Sequence, residues 1–264
     1  MDPLSLLFIV FYAASGVFYL GFHLGMGQAA ARVGRYTLMA AFGLQLVDIG
    51  LRCFRMQHPL SSLSEAMAFI AWLIAGGMVI ASFRYRLSAA GAFAVPVVLV
   101  LLVLARVGPE TATSVPLVSR LGTVHILLAT VGVATFALAA VVALVYLLQE
   151  KRLKSKKLDV LRNENTPLDT LDRLAARCVS VGFPVFTLTI VTGAVWIAQL
   201  GWFQTGRAMR PEYLLTIIAW AVSGVLLFAR VGAGWRGRRA AWLTVGGFSA
   251  AALVLVGYLI RNTA

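Results

Sequence analysis

Three histidines, six tryptophans and a scatter of arginines are the side chains here best suited to binding chemistry, set among long apolar runs. His125 lies inside the run from Leu121 to Leu148, His58 within RCFRMQHPLSSLSE, and His23 in the inner half of the first run. At ~1.5 Å per helical residue, His125 sits roughly 6–9 Å below one end of its run. The other end leads into the basic cluster Lys151, Arg152, Lys154, Lys156 and Lys157. An ionisable side chain at membrane depth costs about 3 kcal/mol or more and is by default a candidate functional group. Imidazole is a common axial ligand of haem. An apolar space lined by Trp72, Trp196, Trp202 and Trp220 and edged by Arg52, Arg55, Arg120, Arg207 and Arg210 would suit a flat macrocycle with two propionates. By the topology below, His58 shares the outer side with His125 and is the candidate second ligand; His23 is out of reach.

Each of these residues has a structural alternative. An imidazole can simply bond a neighbouring helix, tryptophans at the interface anchor bilayers, and outer arginines meet lipid headgroups. His58 before Pro59 can shape the entry to the third span, with Ser64 as its N-cap. Gln45 and Asp48 in the second span either pair with each other or with neighbouring helices, or mark a polar path.

The elements that must position these groups follow from composition. The chain has 264 residues, of which 60% are hydrophobic and 12% charged, far from soluble usage. Its apolar runs predict an all-α, polytopic membrane protein: one bundle of eight transmembrane helices at about 4–26, 36–56, 64–83, 88–106, 119–149, 171–200, 213–232 and 240–260. One domain covers 1–264, with residues 150–170 as its sizeable cytoplasmic loop. Sixteen of the 23 Lys and Arg fall on one side of this arrangement and seven on the other. The richer side is cytoplasmic, which puts both termini outside. The expected location is a bacterial inner membrane.

The net charge of +13 is spread over inter-span loops, which sets orientation and argues against nucleic acid as a partner. Cys53 and Cys178 fall near opposite faces, so no disulfide is expected, and without a CxxC there is no thiol-exchange motif. Phosphate loops, zinc-protease helices and nucleophile elbows have no match in the sequence. A dihaem quinol-oxidising cytochrome needs four histidines, and three exist.

Three segments together resemble the cytochrome c assembly protein family, which includes the haem-handling proteins CcsA and CcmC and the related HemX-type proteins. RCFRMQHPLSSLSEAMAFIAW (52–72) is similar to the family's R…GHxPLSNxYExxxFxxW, with Ser62 where Asn is usual. VHILLATVGVATFALAAVVALVYLL (124–148) is similar to HVxxxxxSYAxF…ALxYL and puts His125 on the family's external haem ligand, although Thr130-Val131 departs near its Ser-Tyr. LDRLAARCVSVGFPVFTLTIVTGAVW (171–196) is close to LDxLxYRxIxxGFPLLTxGIxTGAVW. The synthase members' tryptophan-rich segment is reduced here to Trp202, Pro211 and Trp220, with Met209-Arg210 in place of Trp-Asp. Phe228 stands where they carry a membrane histidine, and the last span has no histidine. These departures favour the HemX-like branch.

The resemblance implies haem as a non-covalent cofactor and a role in haem holding or transfer, in cytochrome c maturation or haem supply. Partners would be haem, the bilayer and other cytochrome c assembly proteins. No residues for an independent catalytic activity stand out. His125 would be the metal ligand, with His58, Arg120, Trp196, Trp202, Arg207 and Arg210 completing the cofactor site. Two alternatives are a scaffold or regulator of a tetrapyrrole-biosynthesis enzyme that binds no haem, and a permease using Gln45 and Asp48.

Overall fold

Hydrocarbon offers no water to satisfy backbone groups, so an apolar run of about 20 residues crosses it as a helix. The computed structural model describes residues 3–54, 60, 62–107, 120–155, 166–201 and 211–263. Its helices, in order, are α1 (Pro3–His23), α2 (Gly27–Phe54), α3 (Leu63–Arg84), α4 (Ser88–Val107), α5 (Arg120–Lys154), α6 (Leu168–Gln199), α7 (Pro211–Val231) and α8 (Arg238–Thr263). Among the described residues, α1 to α7 are long and apolar enough to cross a bilayer. The chain is therefore a multi-pass helical membrane protein, and no strand occurs among the described residues.

Three boundaries differ from those read in the sequence. The second helix starts at Gly27, not near residue 36. A tight reversal after α1 makes this possible: Gly25 adopts φ 102°, its N–H donates to the Phe22 carbonyl at 3.1 Å, and the Met26 N–H donates to the Gly21 carbonyl at 3.0 Å. This is the Schellman termination, which favours glycine at the left-handed position. The good helix formers that follow, Gln28 to Arg32, then join α2. Ser62, not Ser64, caps α3, its Oγ accepting from the Glu65 N–H at 3.2 Å. An N-cap side chain serves the N–H two or three residues on, and Ser62…Glu65 has the capping-box spacing. Finally, α5 continues to Lys154 and α6 begins at Leu168, so helix takes up both ends of the expected 150–170 loop.

The helices group as two compact units, Met1–Thr113 with Lys151–Pro167, and Ser114–Glu150 with Leu168–Ala264. In the first, α1 buries Ser5, Phe8, Tyr12, Ser15, Tyr19 and Phe22, alternating steps of three and four that make one continuous face. Ser15 Oγ donates to the Gly34 carbonyl at 2.8 Å, and Tyr12 Oη donates to Gln45 Oε1 at 2.8 Å. Polar tips on this face thus bind α1 to α2 where hydrophobicity alone distinguishes little between helix and lipid. In the second, Ala139, Val179 and Leu226 form a buried cluster joined by Phe136, Cys178, Leu227 and Leu243. One residue or more from each of α5 to α8 meets there. At one end of α6, the buried Arg230 Nη1 pairs with Asp172 Oδ1 at 3.2 Å, and the Gly237 N–H donates to the same oxygen.

Candidate functional site

Where α5 and α6 meet, side chains of one helix sit over glycines of the other. Gly132 faces Val185, Gly182 faces Phe136, and Gly193 faces His125, so the two helices run antiparallel with side chains seated on glycines. A Cβ added at Gly193 would stand 2.7 Å from His125 Cε1, so the imidazole occupies the space a side chain would fill. His125 Nδ1 lies 2.9 Å from the Thr189 carbonyl oxygen and 3.3 Å from Thr192 Oγ1. A carbonyl only accepts, so Nδ1 carries the proton. The Thr192 hydroxyl is itself turned to backbone carbonyls, donating to Leu188 at 2.8 Å or Thr189 at 3.0 Å. In the neutral ring this leaves the lone pair on Nε2, which makes no hydrogen bond among the described residues.

Trp196, one helical turn beyond Thr192, flanks the ring with centroids 5.7 Å apart and planes tilted by 47°. Both side chains are half-buried. Arg120 is the first residue of α5 and is exposed. It lies five positions before His125, which at ~100° per residue turns it roughly 140° around the helix axis. His58, Trp202, Arg207 and Arg210, together with Arg55, lie outside the described residues. Of the expected site, His125 and Trp196 are brought together, with Arg120 on the same helix.

The other candidates have separate engagements. Trp220 stacks on Phe183 and its Nε1 donates to Thr187 Oγ1 at 3.0 Å. Trp72 stacks on Phe42 at 5.0 Å and donates to the Phe42 carbonyl at 3.3 Å. Phe228 is 72% exposed, so the position where synthase members carry a histidine points outward. His23 closes α1, and its Nε2 accepts from Arg152 Nη2 at 2.6 Å. Cys53 and Cys178 are both free thiols. Among the described residues no three His, Cys, Asp or Glu gather in a way that could hold a metal ion.

For Gln45 and Asp48 the structure decides between the alternatives the sequence leaves open. Gln45 and Asp48 do not bond each other: Gln45 Nε2 donates to the Ala68 carbonyl at 2.9 Å, and Asp48 Oδ2 accepts from Arg52 Nε at 2.9 Å. Both line a pocket with Glu65 and Arg106. Their spacing, Gln45, Asp48 and Arg52, is the signal that puts all three on one side of α2.

The family model described as cytochrome C assembly protein matches residues 60–263. The cytochrome c biogenesis protein CcsA of Guillardia theta is 25% identical, with 91% of this chain and 82% of that protein covered. CcsA of Microcystis aeruginosa is 24% identical, with 98% and 91% covered. Protein HemX of Brevibacillus brevis is 29% identical, with 71% of each covered. No solved structure matches.

Proposed function

The chain belongs to the cytochrome c assembly protein family, and from that premise we propose that it holds haem non-covalently for cytochrome c maturation or haem supply, with His125 as the iron ligand. One observation carries the reading: the Thr189 carbonyl fixes Nδ1 as the donor at 2.9 Å. Metal-bound histidines are oriented in this way, the second nitrogen bonded to a carbonyl and the first left free to coordinate. The donor set fits haem, because a porphyrin supplies four nitrogens and asks the protein for an axial imidazole. Bound haem supplies the iron porphyrin that the pathway consumes.

The chain's own residues do the rest. Gly193 admits the imidazole to the α5–α6 contact, Thr189 sets its tautomer, and Trp196 gives an aromatic side to the site. His58 is assigned as second ligand, Trp202 as further wall, and Arg120, Arg207 and Arg210 as propionate partners. Holding by few protein ligands suits a protein that must let its cargo go, and other assembly proteins would receive it. The assigned placement is a bacterial inner membrane, and the charge asymmetry of sixteen against seven supports an orientation with both termini outside.

The test is spectroscopic. The protein purified from haem-replete cells should show a Soret band that is lost in His125→Ala while helical content and unfolding temperature stay near wild type. A folded wild-type protein that remains colourless with added haem would refute the assignment and favour the non-haem-binding scaffold.

A further inference from the structure

A guanidinium has five N–H donors and a charge, and in a membrane protein each must find an acceptor in the chain, in water or in the lipid. Arg35, half-buried on α2 in the first unit, finds little in the chain. Its Nη1 reaches the Ser82 carbonyl, in the last turn of α3, at 3.4 Å, which is long for a hydrogen bond. Cζ lies 5.5 Å over the Tyr36 ring, which offers π density but no counter-charge. Nε is buried with no acceptor. Among the described residues Nη2 has no acceptor either, and it is not enclosed.

The surroundings add positive charge and remove none. Arg32 precedes Arg35 by three positions on the same side of α2, and Arg84 closes α3 just beyond Ser82. Both are exposed and have no partner among the described residues. The described acids of this unit are Asp48 and Glu65, towards the opposite ends of α2 and α3. Setting the orientation of the chain requires only exposed cations. It does not require a half-buried guanidinium whose donors stay open, so an anion from outside the chain is called for. Large apolar side chains flank the same edge: Tyr36 beside Arg35, Phe83 beside Arg84, and Ile80 one turn before Arg84, all exposed. An anion that carries hydrocarbon would cover both.

We propose that Arg35, with Arg32 and Arg84, holds the phosphate of an anionic phospholipid whose acyl chains lie along Tyr36, Ile80 and Phe83. Basic clusters at the ends of membrane helices recognise lipid headgroups in this way. The absence of a described carboxylate at this edge sets the preference. Phosphatidylglycerol brings only negative charge, whereas the ammonium of phosphatidylethanolamine or phosphatidylcholine meets three cations and no counter-charge. The proposal is independent of haem at His125, and either can fail without the other.

The test uses the full-length protein in phosphatidylcholine nanodiscs. A rising share of the lipid is replaced by phosphatidylglycerol, or in parallel by phosphatidylethanolamine, and the unfolding midpoint is followed. Glycerol phosphate added to the buffer is the soluble source of the same anion. Phosphatidylglycerol should raise the midpoint to a plateau, by roughly 5–10 °C at about a hundred times its Kd for a chain of this size. The other two should leave it in place. Arg35→Gln should weaken binding at least about tenfold, the usual scale of a lost hydrogen bond to a charged group. Arg84→Gln disturbs no described contact, so it keeps the fold and should weaken binding in the same direction. Arg32, Arg35 and Arg84 all changed to Gln should abolish the rise. The charge-matched control changes Arg236, Arg238 and Arg239, exposed around the start of α8, to Gln and should keep it. No rise with phosphatidylglycerol, an equal rise with phosphatidylethanolamine or glycerol phosphate, wild-type binding in both single variants, or an equal loss in the two triple variants overturns the proposal.

Discussion

A single methyl group at Gly193 tests whether the fold is built to place the His125 ring. In Gly193→Ala the new Cβ would stand 2.7 Å from Cε1 and 3.1 Å from Nδ1. Carbon atoms rest at about 3.5–4.0 Å, so the ring must withdraw by roughly 0.8 Å or more. Withdrawal of that size along the Nδ1–O axis stretches a 2.9 Å bond to about 3.7 Å, beyond hydrogen-bonding range. Leaving the donor and its carbonyl unpaired costs about 1–3 kcal/mol, against a helix-propensity gain of about 1 kcal/mol. The net loss is up to about 2 kcal/mol, or at most roughly 4–8 °C in the unfolding midpoint. Haem affinity should fall further, by about 10–100-fold, because the ligand loses the partner that orients it. The assays are a thermal melt without haem and a Soret titration with it. Gly43→Ala is the control, since a Cβ there meets nothing within 4 Å. If Gly193→Ala melts as high as Gly43→Ala and binds haem like wild type, the reasoning is wrong.

Three further outcomes can be checked directly. The Arg230–Asp172 pair has side chains only 5% and 13% exposed, so Arg230→Met or Asp172→Leu alone should cost about 3–5 kcal/mol. The double variant should cost less than either single one; additive losses in detergent melts would show that the pair is not a coupled unit. Phe228→His puts an imidazole on a position that is 72% exposed, so the haem spectrum should stay as in wild type; a new bis-histidine spectrum would contradict this orientation. Cys53 is exposed, and the proposed topology puts it outside. A membrane-impermeant maleimide should label it in intact cells, and labelling only in inverted vesicles would reverse the orientation.

The helices were legible because hydrocarbon leaves an apolar run little alternative. Their ends were not, where local hydrogen bonds decide. The reversal at Gly25 hides inside GMGQAAAR, whose two glycines and terminal arginine look like a loop, and only the bonds to Gly21 and Phe22 show how short it is. At the candidate site the sequence supplied His125, as an ionisable residue at membrane depth, and Trp196 as an aromatic neighbour, and the family resemblance pointed to the same histidine. It did not supply Thr189, because the contact is to a backbone carbonyl and any residue type could present one. Nor did it supply the role of Gly193, whose missing side chain leaves the space that one particular ring fills. Gln45 and Asp48 were visible as polar residues in a span. Their partners include Tyr12, which reads as apolar, and Arg52, which the sequence offered either as an edge of the cofactor site or as a headgroup contact.

His23 and His125 show why residue type alone could not choose the ligand. An arginine can only donate, so Arg152 at 2.6 Å from His23 Nε2 requires that nitrogen to contribute its lone pair. A carbonyl can only accept, so Thr189 requires a proton on His125 Nδ1. In the neutral ring, then, His23 has spent its basic nitrogen on the protein, whereas His125 has spent its acidic one. Of these two, the second can bind iron without first breaking a contact to any of the described residues. His23→Ala should therefore leave the haem spectrum unchanged under conditions where His125→Ala abolishes it. If the two variants lost haem equally, tautomer control would not be what distinguishes the two histidines.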